Sequence, residues 1–332
     1  MELGFIVGKF YPPHRGHHHL IRTARQQVDR LLVMIAEHPN QTIPGMVRQQ
    51  WLRHVHPDCD IRLVPDTLPE EPIAWAGFTR TYLGRSPDKV FTSEEYGQPF
   101  ATAMGCQHVL VDLKRSHVPI SGTQVREAPW EYAEFLEPCV RAWFVKRIVL
   151  IGAESTGKTT LAQALAKHYR TPWVAEFGRE HWEKKLQSQS MEQASLGWTD
   201  HEFVEIACEQ QARENELAMQ ASGFLFCDTN AFATGTWYER YRNARHRWID
   251  QLGRCSKSDL YLVTSPDVPF VQDGFRDGEN IRHWMHHRFL EQLQQHNLPY
   301  AVIHGPFEGR FNQALTLLEE RFPFLSSTRC EP

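Results

Sequence analysis

Short apolar, β-branched runs punctuate the chain, and the stretches between them carry apolar residues at helical spacing. LGFIVG at 3–8, LLVMIA at 31–36, IRLV at 61–64, KVFT at 89–92 and HVLV at 108–111 form one series. A second series restarts with RIVLIG at 147–152 and continues through WVAE at 173–176, FLFCD at 224–228, LYLV at 260–263 and YAVI at 300–303. Apolar strands separated by helical stretches read as βαβ units around parallel sheets. The pattern therefore predicts an α/β chain of two doubly wound parallel-sheet domains, 1–145 and 146–332. Between them, EAPWEYAEFLEPCVRAWFVK contains no Gly/Ser-rich linker, and Pro129 is placed as the first residue of a helix. That helix, leading directly into the next strand, predicts little slack between the domains. Thr199 followed three residues later by Glu202 has the form of a capping box at the start of a packing helix.

Composition narrows the class. A length of 332 residues suits two domains, and 41% hydrophobic content supplies two cores. A net charge of -4 argues against a dedicated nucleic-acid binder, because counterion release needs a surplus of Lys and Arg. The 7 cysteines are scattered without a CxxC pair, which fits reduced thiols in a cytoplasmic protein. The start MELGFIV lacks the features of a signal peptide, and no apolar run approaches the ~20 residues of a membrane span.

GKFYPPHRGHHHL at 8–20 holds four histidines within six positions. The run follows a strand, and Gly8, Phe10, Pro12, His14, Gly16 and His17 fit GxFxPxHxGH. Leu20, Ile21, Ala24 and Val28 recur at helical spacing, so a helix is predicted from near Gly16. His14 and His17 then sit at its positive end, where free N–H groups and the dipole favour anions, and Gly16 lets a phosphate approach the backbone. An anion cradle is favoured over a metal site. Lys9 is a candidate for neutralising phosphate charge, whereas His18 and His19 are read as surface or packing residues.

The second phosphate motif is stronger still. Gly152 to Thr159 reads GAESTGKT, directly after a strand and before a helical run. Backbone N–H groups across Ala153, Glu154, Ser155, Thr156, Gly157 and Lys158 should cradle ATP phosphates, with Thr160 beside them. Lys158 should reach the β/γ oxygens and the Thr159 hydroxyl should bind Mg. Glu176 and Asp228 both end predicted strands, where α/β sheets face their ligands. Glu176 is the preferred base and Asp228 the preferred Mg ligand, and the two roles could be exchanged. Arg276, in the Gly-punctuated QDGFRDGE, is either a lid guanidinium or a solvated loop arginine. WYERYRNARHRW at 237–248 is read as one helix with its arginines on two sides, facing solvent or nucleotide.

GxFxPxHxGH resembles the signature of the HxGH nucleotidyltransferases, which transfer the adenylyl group of ATP to a phosphate-bearing substrate with release of pyrophosphate. ISGTQVR at 120–126 is similar to that family's ISxTxxR element, which implies that Ser121, Thr123 and Arg126 lie near the ATP phosphates. Followed by a P-loop kinase domain, the arrangement resembles the NadR-type bifunctional proteins along nearly the whole chain. RQQWL at 48–52, TSEEYG at 92–97, EFGRE at 176–180, CDTN at 227–230 and GFR after Asp273 fit as well. The resemblance implies phosphorylation of nicotinamide riboside to nicotinamide mononucleotide, then adenylylation to NAD, with ATP and Mg. It further implies Trp75 and Arg80 as contacts of the nicotinamide nucleotide, and Glu176, Arg179 and Asp228 as contacts of the riboside or its metal. Phe177 and Asn230 depart from the Tyr and Asp expected there. No N-terminal helix-turn-helix, DNA or membrane binding is expected, and a homo-oligomer is compatible with the sequence. The alternatives are a phosphopantetheine adenylyltransferase fused to dephospho-coenzyme A kinase, and a non-catalytic nucleotide sensor.

Overall fold

In the computed structural model, residues 1–69, 71–188, 197–272 and 278–326 are described. Two compact units divide the chain, Met1–Arg141 and Ala142–Pro332, with the division falling inside the helix Pro138–Phe144.

The first unit contains β1 (Leu3–Gly8), β2 (Arg30–Glu37), β3 (Asp60–Pro65), β4 (Lys89–Thr92) and β5 (Gln107–Leu110), all parallel, in the order β3-β2-β1-β4-β5. Successive strand residues face opposite sides, so each strand feeds two cores. Leu31, Val33 and Ile35 of β2 join Ile21, Ala24 and Leu52 on one face, while Leu32 and Met34 join Ala76, Phe100 and Met104 on the other. That two-sided burial is why these strands read as unbroken apolar runs.

The second unit contains β6 (Lys146–Ile151), β7 (Trp173–Val174), β8 (Phe224–Asp228), β9 (Leu260–Thr264) and β10 (Tyr300–Ile303), again parallel, in the order β10-β9-β6-β8-β7. Every residue of β8 and β9 is buried. In each sheet the chain leaves two neighbouring strands in opposite directions, β1 and β4 in one, β6 and β8 in the other. A crevice opens at the carboxyl ends of such pairs, and open α/β sheets bind ligands there.

Three local expectations are corrected. WVAE is strand only over Trp173–Val174, so Glu176 stands in the short link before the helix Phe177–Ser188. The 237–248 stretch is not one helix: Ala231–Arg242 ends where Asn243 turns left-handed at φ 49, and a new helix starts at Arg247. Arg245 there pairs with Glu239 and Asp250, and Arg242 with Asp200. Pro129 lies in a turn, and the helix before β6 begins at Pro138. The Thr199–Glu202 capping box is formed in both directions, with Glu202 N donating to Thr199 Oγ1 at 3.3 Å and Thr199 N to Glu202 Oε2 at 2.7 Å.

Candidate active sites

In the first unit, β1 runs into a loop that enters the helix Arg15–Arg25, and His14 is its N-cap. Gly16 N donates to His14 Nδ1 and His14 N donates to His17 Nδ1, each at 3.2 Å. Both rings thus spend Nδ1 as an acceptor, which fixes the neutral tautomer with its proton on Nε2. Burial, then the nearby Arg115 charge, pushes His14 down to about 4. Burial and the charges of His14, His18 and Arg115 hold His17 well below its ordinary value. The two rings, 3.8 Å apart between centroids, are therefore a pair of neutral N–H donors at a helix N-terminus.

Gly8, Lys9, Phe10, His14, Gly16, His17, Trp75, Ser121, Thr123 and Arg126 all line one cleft of about 650 Å³. Arg126 donates to the Tyr11 carbonyl at 2.5 Å and to Thr123 Oγ1 at 3.1 Å, and stacks 4.3 Å over the Tyr11 ring. A side chain at Gly122 would meet the Tyr11 oxygen at 2.6 Å, so glycine permits this close approach. Ser121 caps its short helix, accepting from Gln124 N at 3.3 Å. Arg80 is not brought to the cleft: it is exposed on the helix Pro72–Leu83 and absent from the lining. His18 is a core residue, its Nδ1 2.9 Å from His56 Nε2. His19 lies by the His117 ring at 5.4 Å.

In the second unit, the loop after β6 needs left-handed backbone at Ser155 (φ 56) and at Gly157 (φ 79), the N-cap of the helix Lys158–His168. Residues 154–160 line a second cleft of about 540 Å³ together with Glu176 and Arg179. Gly152 does not line it. Its Cβ would meet Thr264 Oγ1 at 2.3 Å, so its glycine serves packing against β9 rather than ligand contact. Lys158 Nζ is buried and donates to the Ala153 carbonyl at 2.9 Å, lying across the loop. Thr159 Oγ1 donates to Asp228 Oδ2. Two buried arginines brace the loop from behind, Arg282 donating to Ser155 O and Arg310 to Thr156 O.

Glu176 and Asp228 differ in placement. Burial, then the Asp228 charge, pushes Glu176 up to about 7 against the opposing pull of Lys158 and Arg179. Asp228 is also raised, by burial, and only Glu176 of the two lines the cleft. Part of the lining is aromatic. Trp182, Trp198, Phe203, Trp237 and Tyr241 form it, with Trp198 at 5.0, 5.5 and 6.1 Å from Trp182, Phe203 and Tyr241.

Known proteins share this layout. A cytidylyltransferase-like family matches residues 5–128 and an AAA domain family matches residues 147–310. The trifunctional NAD biosynthesis/regulator protein NadR of Escherichia coli (strain K12) is 28% identical, over 96% of this chain and 83% of its own length. Its Salmonella typhimurium counterpart is 27% identical over the same shares, 96% and 83%. The chain is homologous to NadR. A crystal structure of NadR protein in complex with NR superposes with a TM-score of 0.76 at 22% identity, covering 100% of this chain and 98% of that one. Another, in complex with NAD and AMP-PNP, gives 0.75 at 20% identity with the same coverage, 100% and 98%. The two-sheet α/β fold is thus that of NadR.

The two departures expected from the NadR resemblance are both packed positions. Asn230 is buried, caps the helix Ala231–Arg242 by accepting from Ala233 N at 3.1 Å, and donates to Tyr261 Oη at 3.0 Å. Phe177 is buried beneath Arg213, whose guanidinium lies 4.5 Å over the ring. Arg276 and Asp273 lie outside the described residues.

Three features were not read from sequence. The aromatic wall gathers residues from three separate stretches, although Trp237 and Tyr241, at i and i+4, share a helix face. Arg115 belongs to none of the motifs singled out above, yet lines the first cleft. Arg48 was noted only inside RQQWL, and its side chain is fully buried. Arg48 donates to the Lys9 carbonyl and, at 2.7 Å, to Gln41 Oε1, and lies 5.6 Å from the Tyr11 ring centroid, pinning the loop that carries the histidines. Arg48→Ala should destabilise the first unit by about 3 kcal/mol, since it removes these hydrogen bonds and leaves a void in place of a fully buried side chain. Denaturant unfolding followed by far-UV dichroism measures the loss, and a change under about 1 kcal/mol would contradict the bracing role.

Proposed function

We infer that this chain is a bifunctional enzyme of NAD synthesis, a ribosylnicotinamide kinase in its second unit and a nicotinamide-mononucleotide adenylyltransferase in its first. One observation carries the reading: two phosphate cradles, each at the switch point of its own parallel sheet, occur in a homologue of NadR.

In the kinase cleft the aromatic wall suits a pyridinium ring, because a cation over a Trp or Tyr face is favoured by roughly 0.5–2 kcal/mol. Glu176, in the same lining, receives the proton of the attacking riboside hydroxyl, and its raised affinity for protons matches that task near neutral pH. Lys158 and the loop N–H groups hold the β- and γ-phosphates. For Mg, Thr159 Oγ1 and Asp228 offer hard oxygen donors, and the buried Asp228 Oδ1 has no hydrogen-bond partner among the described residues. When bound with ATP, the metal neutralises charge on the phosphate oxygens.

In the transferase cleft, a phosphate oxygen of nicotinamide mononucleotide attacks the α-phosphorus of ATP. This nucleophile is already anionic and needs no base, so alignment can supply roughly 7–11 kcal/mol of the barrier lowering. His14 and His17 donate Nε2–H to the phosphate oxygens on which charge develops. Trp75, in the lining, is the candidate platform for the nicotinamide nucleotide.

The reading is tested by incubating the protein with ATP, Mg and either nicotinamide riboside or pantetheine phosphate, and resolving the products chromatographically. Nicotinamide mononucleotide and NAD are expected from the first mixture and nothing from the second. Turnover of pantetheine phosphate alone would replace this reading with the coenzyme A one, and tight ATP binding without any turnover would replace it with a sensor. The absence of a helix long and apolar enough to cross a membrane among the described residues is compatible with action in the cytoplasm.

A further inference from the structure

A triphosphate in the first cleft needs cations, and Lys9, Arg115 and Arg126 all line it. Arg126 gives Nη1 to the Tyr11 carbonyl and Nη2 to Thr123, so it fastens one wall to the other. Lys9 is exposed and faces Asp66 at 3.7 Å. Arg115 differs. Its side chain is 45% exposed, lines the cleft, and reaches Glu94 of the same lining at 3.1 Å. Its charge also bears on both His14 and His17.

The loop carrying it is shaped with care. Asp112 and Arg115 take left-handed backbone, φ 49 and φ 50. The Asp112 carboxylate accepts from Ser116 N at 2.7 Å, Ser116 Oγ at 2.9 Å, His117 N at 3.1 Å and Val118 N at 3.3 Å. Non-glycine residues hold such a conformation only where their surroundings impose it, and imposed strain clusters at functional sites. The strain here fixes the stem of one long cationic side chain at the rim of a phosphate cleft.

The geometry points to Arg115 as a further catalytic residue of adenylyl transfer, a guanidinium that leaves Glu94 for the β- and γ-phosphates as charge builds on the departing pyrophosphate. This rests on the adenylyltransferase reading above. In the step, a phosphate oxygen of nicotinamide mononucleotide bonds to the α-phosphorus while the bond from that phosphorus to the α–β bridging oxygen breaks. The bridging electron pair stays with the β-phosphate oxygen and leaves in pyrophosphate, and no proton moves. Arg115 meets the charge where it accumulates, and a planar guanidinium suits two phosphate oxygens at once.

The test is steady-state kinetics of NAD formation with ATP varied, on the full chain, with far-UV dichroism and denaturant unfolding of each preparation as a control for folding. Arg115→Ala should lower kcat/KM for ATP about 100-fold, mostly in kcat, and Arg115→Lys should recover part of the loss. Glu94→Gln should act in the opposite sense, lowering KM for ATP, because it frees the guanidinium from its competing partner. An unaltered Arg115→Ala protein overturns the inference, and so does a Glu94→Gln protein that loses activity in parallel, since the pair would then serve only to brace the loop. Wild-type protein that forms no NAD from nicotinamide mononucleotide would overturn the adenylyltransferase reading itself, and the inference with it.

Discussion

Lys158→Ala is expected to lower riboside phosphorylation about a thousandfold while NAD formation from added nicotinamide mononucleotide continues unchanged, and His17→Ala is expected to do the reverse. The size of the first effect follows from where the ammonium sits. It is buried in the loop and already aimed along the Ala153 carbonyl, so it meets phosphate oxygens without first being desolvated. Methyl at that position removes the one lysine cation of the loop from the transferring charge. The independence follows from construction, since each cleft is built on its own five-stranded sheet with its own helix N-terminus. His17 accepts from the His14 backbone through Nδ1, so its removal also loosens the neighbouring ring, and a hundred- to thousandfold loss, about that of an oxyanion donor, is expected for adenylyl transfer. Separate assays of the two half-reactions on each variant decide the matter. Loss of both activities in either variant would mean that the sites are coupled or the protein misfolded, which dichroism distinguishes.

The parts of this architecture legible in sequence are those where the chain repeats one physical requirement. Strands buried on both faces must be apolar throughout, so β1, β2, β6, β8 and β9 stand out as runs, and a phosphate loop must turn through glycine between strand and helix. Where the requirement is local but the residue type is ambiguous, the reading overran. Ala175 and Glu176 continue WVAE plausibly, yet they form the short link between strand and helix. Asn243 interrupts a helical pattern of aromatics and arginines because Asn tolerates left-handed backbone better than most residues do. The features sequence did not reveal are those assembled from distant segments. Nothing near Arg48 announces that it is fully buried against Lys9, 39 residues away in the chain. Nor does anything near Trp198 announce Trp182 and Tyr241 beside it.

Glu176→Gln should reduce riboside phosphorylation by about 10²- to 10⁴-fold and remove the acidic limb of its pH profile. The sign follows from burial. Glu176 is held up to about 7, so below that pH it is protonated and cannot accept the hydroxyl proton, and kcat/KM should rise with pH through about 7 before levelling. Part of that elevation is electrostatic, because the Asp228 carboxylate disfavours a second negative charge close by. The step in the profile therefore belongs to the pair. Asp228→Asn removes that repulsion and should move any residual limb towards acid, even as it weakens phosphate binding through the loss of a metal ligand. The two substitutions thus part company: one abolishes the limb and the other displaces it. If Glu176→Gln kept a limb near pH 7, the proton would be going to Asp228, and the roles of the two carboxylates would have to be exchanged.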